Sequence, residues 1–315
     1  MSLNREELLK ALEEKFAQSG QNLDVHLSGL LHSTDITYWD YIQTEALLSL
    51  QIQRTTLPDE MVFIAYHQIN ELLFKMILWE IKQISFHEAL TTTIFTDKLY
   101  RISRYFDMLA TSFEIMQKGM SVDQYMQFRD TLTPASGFQS AQYRQIEFAS
   151  TELINLIDFR FRATINRNTP YEYAFDNLYW QVAGVDHKTG KKNALLTNFE
   201  TKYKESFIDF MKQYNAHNLY TKFKSLPEEE RNEKSLINAM RHYDHTVNVK
   251  WVMAHYHAAG HYIDSGKGSG EATGGSDWRK YMHPRYQRRI FFPSLWSAQE
   301  LENWGLDNLE SCVVL

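Results

Sequence analysis

The residues best suited to chemistry are histidines, and they are unevenly spread. Six of the 12 fall between positions 242 and 283: His242, His245, His255, His257, His261 and His283. On a helix, His257 and His261 stand one turn apart and could share a metal ion. No glutamate follows the first as in His-Glu-x-x-His, which weakens a zinc-hydrolase reading. His255 has Ala258 and Ala259 three and four residues on. Such small neighbours leave room for a flat macrocycle against the helix, with the imidazole as proximal iron ligand; an ordinary core or surface histidine is the alternative. His67 stands alone in an apolar stretch, one helical turn after Phe63. That pair would make a pocket wall with one hydrogen-bonding group, or else a buried histidine satisfied by a backbone carbonyl. Arg129 precedes the turn Thr133-Pro134-Ala135-Ser136-Gly137. It is either a surface ion pair with Asp130 or Glu114, or a bidentate clamp on a carboxylate.

Glycine adds one local feature. Five of the 13 lie between 266 and 275, where Thr273-Gly274-Gly275-Ser276 would offer a hydroxyl and bare amides to an anion such as a carboxylate. A plain surface loop after a helix end is the alternative. No Gly-Lys-Ser/Thr follows and no strand precedes, so this is neither a P-loop nor a dinucleotide fingerprint.

These residues must be positioned by helices. Six prolines in 315 residues leave long stretches open to helix. The spacing of Leu8, Leu9, Leu12 and Phe16 predicts a helix over 4–18 that stops before Gly20. A second is expected over 38–53, with Ser33, Thr34 and Asp35 as candidate caps. Pro58-Asp59-Glu60 opens a third, and residues 61–84 are apolar almost all round, which predicts a central, buried helix. Further helices are expected over 96–118, 122–130, 139–157, 171–185, 198–214 and 235–263, with a polar surface loop at 186–192. The sequence has no repeat and no interdomain linker. It reads as a single all-α domain over 1–315, with an N-terminal helical arm over about 1–35.

Composition supports this and excludes several functions. Aromatics reach 14% and hydrophobic residues 43%, which disfavours a disordered chain. A domain of this length can bury roughly 75% of its unfolded surface. Thirty-three basic against 39 acidic residues give a net charge of −6 with no basic run, so nucleic acid is not expected as a partner. The single cysteine, Cys312, forms no Cys-x-x-Cys-His, so a haem would be held without thioether links. The N-terminal residues do not read as a secretory leader and no apolar run approaches membrane length, so a reducing cytoplasm is the expected compartment.

Taken together, several ordered segments resemble the tryptophan 2,3-dioxygenase family, over about 38–305. They are Tyr38-Trp39-Asp40-Tyr41-Ile42, Leu47-Leu48-Ser49-Leu50-Gln51, Asp59-Glu60-Met61-Val62-Phe63 through His67-Gln68, Phe128-Arg129, Pro134 through Arg144, Trp251 with His255, and Thr273-Gly274-Gly275-Ser276. The resemblance implies an all-α homotetramer binding one non-covalent haem b per subunit. Its activity would be insertion of both atoms of O2 into L-tryptophan, giving N-formyl-L-kynurenine. It further implies His255 as proximal haem ligand and His67 as the distal histidine accepting the indole N–H. Phe63 would pack on the substrate, Arg129 would clamp its carboxylate, and Thr273 would contact its polar end. Tyr125, Leu132 and Ser136 match pocket positions. Tyr38 and Tyr41 match an N-terminal segment that completes a neighbouring subunit's site.

The chain departs from the family pattern in places. Val252 stands where many relatives have arginine, Ala272 stands where many have glycine, and His257 and His261 are additional. The alternatives are a related haem-dependent aromatic amino-acid hydroxylase, a non-catalytic haem protein, and a zinc site at His257 and His261.

Overall fold

The computed structural model describes residues 3–129, 140–166, 168–185, 189–265, 279 and 282–306, and among these the only extended pairings are two isolated β-bridges. The fold is all-α. It separates into two units, Met1–Ile52 and Gln53–Leu315.

The first unit holds α1 (Arg5–Gln18), α2 (Leu23–Leu30), α3 (Tyr38–Ile42) and α4 (Thr44–Leu48). Asn4 and Glu7 form a reciprocal capping box at the start of α1, and Gly20 beyond its end takes the left-handed conformation at φ 68°. The helix expected over 38–53 is broken: Gln43 turns left-handed at φ 59°, splitting it into α3 and α4, and Thr37 rather than Ser33–Asp35 caps the first piece. A side-chain amide suits that conformation better than a β-branched residue would. Leu23 is the only buried residue named in these four helices.

The second unit is organised by α5 (Asp59–Ser85) and α6 (Thr92–Lys118), each of 27 residues. The acids that open α5 tie down its surroundings. Asp59 accepts from the Ser121 backbone N–H at 2.6 Å, and Glu60 accepts from the amides of Arg54 and Thr55 and from the Thr55 hydroxyl. Burial works to raise the Glu60 pKa, but these donors outweigh it and hold the carboxyl below its usual range. Against this pair pack α7 (Val122–Arg129), α8 (Ala141–Ser150), α11 (Leu219–Ser225), α13 (Lys234–His245) and α14 (Trp251–Ile263). Between them in sequence lie α9 (Tyr171–Asp176), α10 (Ala194–Tyr214) and α12 (Glu228–Arg231). The last two helices are α15 (Pro284–Gln287) and α16 (Ala298–Glu302).

Several expected boundaries shift for visible reasons. Helix α8 ends at Ser150, whose hydroxyl bonds back to the Ile146 carbonyl, and a 3-10 turn at Leu153–Leu156 follows. The stretch expected over 171–185 is α9 followed by a 3-10 turn at Gln181–Gly184. Helix α5 is central but not buried all round: Ile69, Leu72, Met76 and Trp79 remain exposed along one stripe. Of the loop expected at 186–192, residues 186–188 lie outside the described residues, and 189–192 are exposed.

The helix expected over 235–263 is continuous in space but not in register. Thr246–Lys250 forms a π turn between α13 and α14, and the Trp251 N–H reaches back five residues to the Thr246 carbonyl. Beside it lies a buried polar lattice. Asp244 accepts from the Phe291 and Phe292 amides at 2.9 Å each, from Trp296 Nε1 at 3.0 Å and from Asn248 Nδ2 at 2.6 Å. Arg289 donates through Nε to Asn248 Oδ1 and through Nη1 to Glu147, which also pairs with Arg144 at 2.7 Å. This lattice docks the segment around residues 289–296 onto α8 and α13.

Two outcomes follow. Asp244→Ala leaves four buried donors unpaired and should cost about 3–5 kcal/mol of stability, read from urea unfolding; a loss below 1 kcal/mol contradicts the lattice's role. His245 is buried, and burial first, then repulsion from His242 and Lys250, lower its pKa from 6.5 to about 4. The folded chain therefore binds fewer protons than the unfolded chain between these values. Stability is fully present above pH 6.5 and declines as pH falls from 6.5 towards 4. His245→Gln should reduce that slope by up to one proton, and an unchanged slope would remove His245 as a cause.

Candidate active site

Phe63 and His67 project from the first three turns of α5, one turn apart, with ring centroids 4.1 Å from each other. His67 Nδ1 lies 2.8 Å from the Phe63 carbonyl oxygen. A carbonyl only accepts, so Nδ1 carries the proton and a neutral ring presents Nε2 as a bare acceptor. The ring is reachable by water although protein surrounds it. That enclosure lowers its pKa, opposed by the bond to Phe63 and by Glu71. At neutral pH the imidazole is uncharged.

His255 sits on α14, the first full turn beyond the π turn. It is stacked on Phe113 of α6 at 5.2 Å and 11°, which fixes the plane of its ring. Burial, and then repulsion by His67, bring its pKa from 6.5 to about 4. The ring contacts of Tyr66 and Phe113 bring the two histidines, 188 positions apart in sequence, to one region of the fold. Tyr66 and Phe113 link them from behind: Tyr66 meets the edge of His67 at 5.2 Å and lies 6.0 Å from Phe113. Ala258 is buried beside His255, and Val252, on the same helix, is buried and apolar.

Helix α7 supplies the adjoining wall. Phe63 lies 5.6 Å from Phe128 and 6.1 Å from Tyr125, and Tyr125 packs on Tyr262 of α14 at 4.1 Å. The Tyr262 hydroxyl donates to the Met116 carbonyl, which ties α14 to α6. Arg129 is 9% exposed and its guanidinium donates to the Tyr125 hydroxyl one turn back, while Glu114 pairs with Lys118; Asp130, the other acid named for it, lies outside the described residues. Burial raises the Tyr125 pKa and the Arg129 charge opposes that rise, so the phenol stays protonated.

The structure thus brings Phe63, His67, Tyr125, Arg129 and His255 together from three helices. His257 and His261 belong elsewhere. They line a separate cavity of about 410 Å³ with Gly260, Asp264 and Arg279, and among the described residues no three metal-ligating side chains gather. Leu132, Ser136 and Thr273 lie outside the described residues. Tyr38 and Tyr41 belong to the first unit, on α3, with most of their surface exposed. The sequence reading passed over Phe113, whose place in the i, i+3, i+4 apolar face of α6 looks like ordinary core. It also passed over Asn248 of the π turn.

Comparison with known proteins finds relatives of a single name. The chain is 26% identical over 288 residues to a Bacillus cereus protein named tryptophan 2,3-dioxygenase, covering 84% of this chain and 92% of that protein. It is 38% identical over 152 residues to a Sorangium cellulosum protein of the same name, covering 44% of this chain and 35% of that one. A Ruegeria protein so named is 37% identical over 115 residues, covering 36% of this chain and 40% of its own length. A profile of the tryptophan 2,3-dioxygenase family matches residues 24–258, which contain α5, α7 and His255, and the chain belongs to that family.

Proposed function

We propose that this protein is a haem-dependent dioxygenase that inserts both atoms of O2 into L-tryptophan and opens the indole to N-formyl-L-kynurenine. The observation that carries the reading is the convergence of His67 and His255 on the Tyr66–Phe113 ring pair, with Phe63 joining His67 to Tyr125 of α7. His255 has the chemistry of a haem ligand. It is neutral at working pH, its ring plane is fixed by Phe113, and small alanines flank it. Haem b, held through His255 without covalent attachment, supplies binding and activation of O2 when present.

The chain's own residues do the rest. Arg129 binds the carboxylate of tryptophan, oriented by Tyr125. Phe63 lies against the indole, and His67 Nε2 accepts its N–H, because Nδ1 already spends its proton on the Phe63 carbonyl. A substrate fixed at both ends is held in one orientation, which lowers the entropic part of the barrier. A site that hydrogen-bonds the ring N–H also disfavours phenylalanine, which would leave His67 unpaired. Thr273 completes the grip on the polar end, Leu132 and Ser136 line the pocket, and Tyr38 and Tyr41 reach it from a neighbouring subunit of a homotetramer. The enzyme works in the cytoplasm; among the described residues no helix is long and apolar enough to cross a membrane.

Reduced, haem-loaded protein mixed with tryptophan and O2 should give a product heavier by two oxygen atoms; a gain of one oxygen points to the hydroxylase instead, and no turnover to a haem-binding protein. His255→Ala should lose haem occupancy and the Soret band, and full occupancy with unaltered spectra would remove His255 as ligand. Arg129→Ala should raise KM for tryptophan by about 10- to 100-fold, the worth of one charge-assisted bond, and an unchanged KM rules out the clamp.

A further inference from the structure

The geometry points to Asn248 as a positioning residue that sets the direction of His255 by pinning the π turn; this rests on the haem-dioxygenase reading. A π turn closes with i to i+5 bonds and takes up one residue more than an α turn. Here it spans Thr246–Lys250, directly ahead of the helix that carries His255. Without it the same residues would wind as α, rotating Trp251–Ile263 by about 100°, the angle one residue subtends in a helix of 3.6 residues per turn. His255 would then leave Phe113 and no longer face His67.

Such turns are rare and need a local cause. The cause here is Asn248, 1% exposed at the middle of the turn. Its amide nitrogen donates to Asp244 at 2.6 Å and its carbonyl oxygen accepts from Arg289 Nε. Both partners are fixed independently, Asp244 by the Phe291 and Phe292 amides and Trp296, and Arg289 by Glu147 and Tyr179. The lattice therefore holds Asn248 at a set place rather than following it. Trp251, the first residue after the turn, packs on Tyr143 at 4.7 Å and passes that placement on to His255.

The test compares three variants of the full chain by haem titration, the iron–histidine stretching band of the ferrous protein, and far-ultraviolet circular dichroism. Asn248→Leu keeps the additional residue and removes its pin. It should retain helical signal while haem affinity falls about tenfold or more, as for supporting residues around metal ligands, with a shifted iron–histidine band. Deleting Asn248 removes pin and additional residue together, so the helix runs on as α with His255 in its original direction. Haem affinity should return to within about threefold of the parent and the band to its position. Ser150→Ala, which cuts the Ser150–Tyr243 bond in the same core, should lower stability and leave the band alone. A merely structural Asn248 predicts the reverse order, with deletion as harmful as substitution or worse, and that result overturns the proposal. So does an Asn248→Leu protein with parental affinity and band, or a Ser150→Ala protein that shifts the band equally. Should the leucine variant fail to fold, Asn248→Ser takes its place, with the same expectation of lowered affinity and a shifted band. Parent protein that binds no haem refutes the dioxygenase reading and this proposal with it; parental binding without the variant effect refutes this proposal alone.

Discussion

Everything proposed for this protein depends on two neutral imidazoles kept in one enclosure. His67 and His255 come from α5 and α14, and each is discharged by the protein around it, His255 further so by His67 itself. Enclosing two ionisable rings works against stability at low pH, so the arrangement persists only because strong packing holds it. Helix α6 provides that packing. Phe113 stacks on His255, and the face of α6 that includes Phe106 and Leu109 is fully buried. The backbone bond from His67 to Phe63 adds a chemical direction, fixing which nitrogen can accept a proton from a ligand.

Much of this frame was legible in the residues. Pro58-Asp59-Glu60 announced the start of α5, and the i, i+4 spacing of Phe63 and His67 put both on one wall. The sequence also suggested that a lone histidine in an apolar helix would be satisfied by a backbone carbonyl, and the Phe63 carbonyl does this. Charge alone does not report burial: Arg129 is 9% exposed and bonded to the Tyr125 hydroxyl.

What was not legible is where register or long-range pairing decides. The π turn at Thr246–Lys250 leaves no trace in residue types, since its defining bond differs from that of an α turn by one residue. Asp244, Asn248 and Arg289 are polar side chains buried by partners from distant chain segments, and residue type alone does not reveal such partners. The break at Gln43 involves no glycine or proline. Apolar periodicity in α5 predicted burial on every side, yet Ile69, Leu72, Met76 and Trp79 stay exposed, because hydrophobicity indicates a preference for contact and not what makes it. Val252 is buried and apolar, so α14 offers no cation at that position.

The most direct measurement is a crystal structure of the anaerobic ferrous protein with L-tryptophan bound. The account predicts iron on an imidazole nitrogen of His255, the indole N–H directed at His67 Nε2, and the carboxylate on Arg129. Iron held by His257 or His261, or tryptophan bound away from Phe63 and His67, would contradict it.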